Sequence, residues 1–201
     1  MKRNRHWTLP VLLLPALFLA PQDPAARRWN LEVENGMLKP IAVREGASRD
    51  TYRTFWYLTL KVTNRTGKSQ RLSPMAEALT PQDHKHPRSL AGLYPEIVEK
   101  ISVREKRKLT NLLVAPKEIA DGESLDLVLV FPRLSRISNT IEIRVSGLAS
   151  RLYKVGRSSW IEDRVLSILF RRRGDEFHST MAPIVELGRA WKTLSRTKIR
   201  G

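Results

Sequence analysis

The chain has 201 residues, no cysteine and a formal charge of +16. Without cysteine there is no disulfide, no thiolate metal centre and no acylated lipoprotein anchor. The charge excess draws anionic partners, and physiological salt screens it within ~8–10 Å. Phospholipid headgroups, acidic polysaccharide and nucleic acid are the partner classes this admits; the same excess also serves solubility.

Residues 1–26 read as an export leader. Lys2, Arg3 and Arg5 form its positive start and Leu9 to Ala20 its apolar run. That run is too short to cross a ~30 Å hydrocarbon core at ~1.5 Å per residue. Pro10 and Pro15 weaken it further as a helix. Ala20 and Ala25-Ala26 offer small residues for cleavage; the alternative is a retained N-terminal anchor. The expectation is a secreted or periplasmic protein, membrane-anchored if the leader stays, with no transmembrane span once it is removed. Taking away Lys2, Arg3, Arg5 and Asp23 removes two net positive charges from +16 and leaves +14. The remaining ~175 residues can bury roughly two-thirds of their unfolded surface. One β-sandwich domain over 27–150 is expected, with a C-terminal extension over 151–201 packing on it and ending in a basic tail.

Trp29 to Ile41 reads as a first strand region, with Leu31 and Val33 alternating against Glu32 and Glu34 and a tight turn at Asn35-Gly36. Thr51 to Gly67 carries the clearest pattern. Trp56, Leu58, Leu60 and Val62 fall on one side and Tyr57, Thr59 and Lys61 on the other. Period two means a strand with one dry face and one wet or partly covered face. Asn64-Arg65-Thr66-Gly67 supplies turn residues. Arg71 to Pro74 resumes extended chain, Met75 to Thr80 continues it, and Pro81 to Pro87 is a surface loop.

Pro95 followed by Ile97, Val98 and Ile101 predicts a short helix over 96–107. Leu109 to Val114 reads as a strand, and Pro116 to Ser124 as a loop turning at Asp121-Gly122. Leu125 to Phe131 and Thr140 to Val145 alternate again. Trp160 to Arg171 fits a strand better than an amphipathic helix. Arg172 to Glu176 looks like a hairpin turn, and Met181 to Leu187 can pair back. Trp191 would pin the end, and Lys192 to Arg200 is expected to fray. Short strands separated by turns make the fold mainly β, a two-sheet sandwich with one short helix and a C-terminal β-hairpin extension.

These residues resemble a family. The order is an aromatic strand into V-T-N-R-T-G, a YPEIVEKI helix, a D-G-E-S turn before LDLVLVF, and then I-E-I-R-V-S-G-L. It is similar to the secreted immunoglobulin-like β-sandwich domains of uncharacterised bacterial proteins. FRRRGDEFH with its downstream Trp resembles C-terminal portions of exported planctomycete-type proteins. The resemblance covers roughly 29–191, implies an immunoglobulin-like fold, and brings no catalytic residues.

Chemistry-bearing groups are sparse. Asp83, His84 and His86 form the one metal-like cluster; in an extended segment His84 and His86 point the same way and Asp83 does not, so a third protein ligand, His178 or a carboxylate, would have to come from afar. A metal-assisted hydrolase using His84 and His86 is the alternative reading. Glu162-Asp163 and Asp175-Glu176 sit beside arginines and read as solvated pairs rather than an acid–base couple. No G-x-S-x-G, G-x-G-x-x-G or P-loop motif calls for a nucleophile or cofactor. Arg173-Gly174-Asp175 reads as a turn, and Asn64-Arg65-Thr66 is a glycosylation sequon only in a pathway that uses it. The basic residues Arg133, Arg136, Arg144, Arg151, Lys154, Arg157, Arg171, Arg172 and Arg173 concentrate in the second half, with Tyr153 and Trp160 interleaved. Export argues against nucleic acid. The expected role is a non-catalytic envelope module that binds a protein, a lipid headgroup or a polysaccharide through this basic half.

Overall fold

The computed structural model describes residues 27–44, 52–81, 84, 88–135, 138–172 and 184–199. The strands among them are β1 (Arg27–Asn30), β2 (Glu32–Asn35), β3 (Lys39–Arg44), β4 (Tyr52–Thr63), β5 (Gln70–Arg71), β6 (Met75–Leu79) and β7 (Arg88–Leu90). After helix α1 (Pro95–Glu105) come β8 (Thr110–Asn111), β9 (Glu118–Ile119), β10 (Ser124–Phe131), β11 (Thr140–Val155), β12 (Ser158–Arg172) and β13 (Ile184–Ile199). One sheet runs β13-β12-β11-β6-β7, with β1 also on β11; a second runs β2-β4-β10-β8, with β3 also on β4; β5 and β9 pair as a small third. Pairing is antiparallel throughout except between β8 and β10.

Alternation in the sequence becomes two layers packed face to face. Trp56, Leu58, Leu60 and Val62 of β4 and Leu127, Leu129 and Phe131 of β10 share one buried cluster with Ile141, Ile143, Val145, Leu166, Ile168 and Phe170 of the opposing sheet. The second face of β4 is covered as well. Phe55 and Tyr57 pack with Val128, Val130, Ile97 and Ile101, so α1 forms a third layer. The helix is set by Pro95 at its start and ends where Lys106 takes a left-handed φ of 54°. Its observed span is Pro95–Glu105 rather than 96–107. Glu105 closes the layer: its Oε1 accepts from Tyr57 Oη at 2.6 Å and Lys39 Nζ at 2.9 Å. Burial and that hydrogen bond push the Tyr57 phenol well above its ordinary value. For Glu105 burial pushes up, but hydrogen bonds from Tyr57 and Lys39 and the Lys39 charge outweigh it and hold the carboxyl low.

Several expectations change. Asn35-Gly36 is not a hairpin turn. Asn35 pairs with Leu60 and Lys39 with Tyr57, so β2 and β3 lie end to end along β4 with one extra residue between them. The extra length tucks Leu38 into the core, at 2 % exposure. Leu109 to Val114 is a two-residue bridge followed by a 3₁₀ turn, which Asn111 caps by accepting from Leu113 N at 2.9 Å. The boundary at 150 falls inside β11, and β12 supplies Leu166, Ile168 and Phe170 to the core. Residues after 151 therefore complete the sandwich instead of merely resting on it. The basic tail does not fray: β13 is paired with β12 as far as Ile199. A stretch that buries little shows no alternation, which is why its strand was hidden.

Asn64 works through its side chain and not through a positive φ. It is fully buried. Its Nδ2 donates to Lys68 O at 2.7 Å and Ile119 O at 2.9 Å, and its Oδ1 accepts from Thr66 N and Thr66 Oγ1. Its backbone bonds Glu123 and Gly122. One residue thus ties the turn after β4 to the turn before β10. A folded chain cannot present this amide to a glycosyl transferase. Gly147 makes a second fixed point. Its φ is 76°, and a Cβ there would strike the backbone of Ser73 and Pro74 at the irregularity of β11.

Asn64→Ala leaves buried carbonyls without donors. We expect a loss of about 2–3 kcal/mol, read as a fall of roughly 5–10 °C in thermal midpoint. Asn64→Asp keeps the shape but loses both donors, and an equal loss is expected; a midpoint unchanged in both variants contradicts the role.

Candidate functional site

The long strands β11, β12 and β13 outrun the sheet opposite them. From about Ser150 to the turn at Gly156-Arg157, β11 and β12 project with β13 and β1 as a ribbon. Cross-strand register places its side chains. Arg28 lies opposite Arg151, Arg151 opposite Glu162, and Glu162 opposite Arg196. Neighbours directly across a pair share a face, so this is one row over four strands. Three guanidiniums flank one carboxylate. The next row toward the turn is Tyr153, Trp160 and Lys198.

Glu162 is buried and fully engaged. It accepts from Arg196 Nε at 3.1 Å and Thr193 Oγ1 at 3.2 Å. Arg164, one step inward on the same face of β12, donates to Asn30 Oδ1 at 3.2 Å and lies 5.8 Å from the Trp191 ring. Burial pushes its guanidinium down, and the positive charges of Arg28 and Arg151 push the same way, against the pull of Glu162. Arg28, Arg151 and Arg164 therefore sit close enough to repel. The Arg151 guanidinium stacks 5.2 Å from the Tyr153 ring. The result is a cationic face with aromatic surface beside it.

Among the described residues, the basic side chains singled out from sequence do not converge. Arg151, Lys154 and Arg157 are exposed on the ribbon. Arg133 and Arg171 are exposed near the opposite end of β12, about 40 Å away at ~3.3 Å per residue. Arg144 sits on the outer face of its sheet, bonded to Glu142 at 3.0 Å and 3.9 Å from Glu77. Arg172 is buried, stacks 5.1 Å from the Trp56 ring and donates to Ser135 O, so it braces the core. Arg136 and Arg173 lie outside the described residues. Four cations of the ribbon face, Arg28, Arg164, Arg196 and Lys198, are absent from the sequence-derived set. Only the strand register brings them together, although Arg196 and Lys198 were visible as a basic tail.

His84 is exposed, while Asp83, His86, His178 and the Arg173-Gly174-Asp175 tripeptide lie outside the described residues. Among the described residues there is no group of three His, Asp or Glu side chains placed to hold a metal. A groove of about 490 Å³ opens beside the start of α1, over Val43, Phe55, Leu93 and Tyr94 with Arg44 and Arg53. None of the groups with shifted protonation lines it. No helix among the described residues is long and apolar enough to cross a membrane. Comparisons with protein-family models, curated proteins and solved structures find no match to this chain.

Outside the ribbon, Glu142 ties three strands together by charge. It accepts from Arg144 at 3.0 Å, Lys192 at 2.8 Å and Ser167 at 2.6 Å, linking β11, β12 and β13. Burial pushes its carboxyl up, but these hydrogen bonds and the Arg144 charge outweigh it and hold the carboxyl down at about 2, against an ordinary 4.5. A depressed folded value means stabilisation that is complete above pH 4.5 and lost as pH falls toward 2. Acid titration of unfolding should show Glu142→Gln losing less stability between pH 6 and 2.5 than the parent, by on the order of 1–3 kcal/mol. Parallel acid limbs contradict this.

Proposed function

We propose that this chain is a non-catalytic binding or structural module of the cell envelope, an immunoglobulin-like sandwich that holds out a cationic ribbon to an acidic partner. The single observation that carries the reading is the row Arg28–Arg151–Glu162–Arg196, in which two arginines face each other across a strand pair. Like charges directly opposite are destabilising. A fold that keeps such a pair beside one already engaged carboxylate has its charge positioned for something outside itself.

The strand pairing supports the immunoglobulin-like part of the reading. In such sandwiches the second strand pairs with the fifth and the third with the sixth. Here β3–β4–β10 and β6–β11–β12 follow that order, with β7 beyond β6. Helix α1 occupies the connection between β7 and β10, and β13 adds a strand past the usual edge. The leader-like residues 1–26 support delivery outside the cytoplasm. A binding role fits better than catalysis because the charge lies on an open strand face. Acid–base chemistry needs an enclosed site with poised groups, and the shifted carboxyls Glu105 and Glu142 are both locked in ion pairs that join structural elements.

Retention on immobilised dextran sulfate tests the reading. Binding should weaken by about tenfold or more between 50 and 200 mM NaCl, because screening shortens the reach of the field. The double variant Arg151→Glu/Arg196→Glu should lose at least about tenfold at low salt, since each cation near an anionic surface contributes ~1 kcal/mol. Arg133→Glu/Arg171→Glu, at the far end, should change little. Equal effects from both pairs, or no retention, count against the ribbon.

A further inference from the structure

The outermost part of the ribbon differs from the cationic row behind it. On one face Tyr153 and Trp160 are paired, with Val155 beyond them opposite Ser158. On the other face Leu152 pairs with Ile161, and Ile199 lies opposite Ser159. Val155 is 60 % exposed, and Ile161 and Ile199 are each 37 % exposed. Apolar side chains therefore stand open to water on both faces of the same tip. Lys154, Arg157 and Lys198 are set among them, and the arginine row begins about 13 Å behind Val155 at ~3.3 Å per residue.

An acidic polysaccharide or a nucleic acid strand would lie along one face, match its cations, and leave the apolar groups of the other face in water. An anionic bilayer interface offers both environments at once. Its acyl boundary takes apolar and aromatic side chains over the outer 5–10 Å, and its headgroups hold cations just behind.

We infer that the tip of the β11–β12–β13 ribbon docks on an anionic lipid bilayer, with Val155, Ile161 and Ile199 entering the interface and Lys154, Arg157, Lys198 and Arg151 meeting lipid headgroups. This rests on the binding role proposed above and names its partner.

Flotation of the full chain with vesicles of phosphatidylglycerol and phosphatidylcholine, against vesicles of phosphatidylcholine alone, tests it. All proteins compared keep the same N-terminus, so its own lipid affinity cancels between them. The parent should bind the anionic vesicles more tightly than the neutral ones. Val155→Ser/Ile161→Ser/Ile199→Ser should weaken anionic-vesicle binding at least tenfold and leave dextran sulfate binding unchanged. Lys154→Glu/Arg157→Glu, which touches no buried residue, should also lose anionic-vesicle binding and serves if the triple variant does not fold. Dextran sulfate binding without any effect of the tip variants on vesicles overturns the lipid inference and leaves the binding role standing. Failure to bind either probe overturns both.

Discussion

The constraint on which the rest of the molecule turns is that β4 must lose water from both of its faces. One face is an unbroken apolar set from Trp56 to Val62, and a whole second sheet is needed to cover it. The other carries Phe55 and Tyr57, and the amphipathic α1 covers those. Burial of apolar area on this scale is the dominant favourable term in folding. The polar cost it brings is small because the one buried phenol, Tyr57, has a carboxylate partner in Glu105. Asn64 meets the corresponding need at the strand's end, where the backbone must turn away in a dry environment.

From this follows the division between body and ribbon. The opposing sheet has only to match the length of β4 and β10 to fill the core. Its strands β11, β12 and β13 run further, and past that point there is no layer to pack against. Composition changes at the same place. Ile141, Ile143 and Val145 give way to Arg151 and Lys154 along one strand, and Phe170, Ile168 and Leu166 to Glu162 along the next. At the end of the ribbon Arg151, Lys154, Val155 and Arg157 therefore face solvent instead of a second layer.

How much of this could be read from residues alone depends on burial. The alternation of β4, β10 and the first half of β11 was legible because one face of each is dry, and Pro95, Ile97 and Ile101 marked the helix for the same reason. The strand that runs through Lys192 to Ile199 was not legible, since a solvated strand obeys no hydrophobic period. Asn35-Gly36 has the composition of a hairpin turn, but β4 is long enough to pair with the chain on both sides of it, and tertiary pairing overrode local preference. The candidate site was least visible. Arg28 and Arg151 are far apart in sequence, and only the register of β1 against β11 makes them neighbours. Arg172 shows the converse: a run of three arginines reads as surface, while alternation turns one of them inward over Trp56.

The position of β1 has a consequence for how the molecule assembles. Its partner strand lies more than a hundred residues downstream, and that strand is itself flanked by the last strand pair of the chain. Contacts of such sequence separation must wait until loop closure has been overcome, and they slow folding. A ribosome emitting this polypeptide would release it as far as Leu152, residue 152 of 201, before β1 could find its place. The sheet of β2, β3, β4 and β10 can form before that point, so β1 joins a body already partly built.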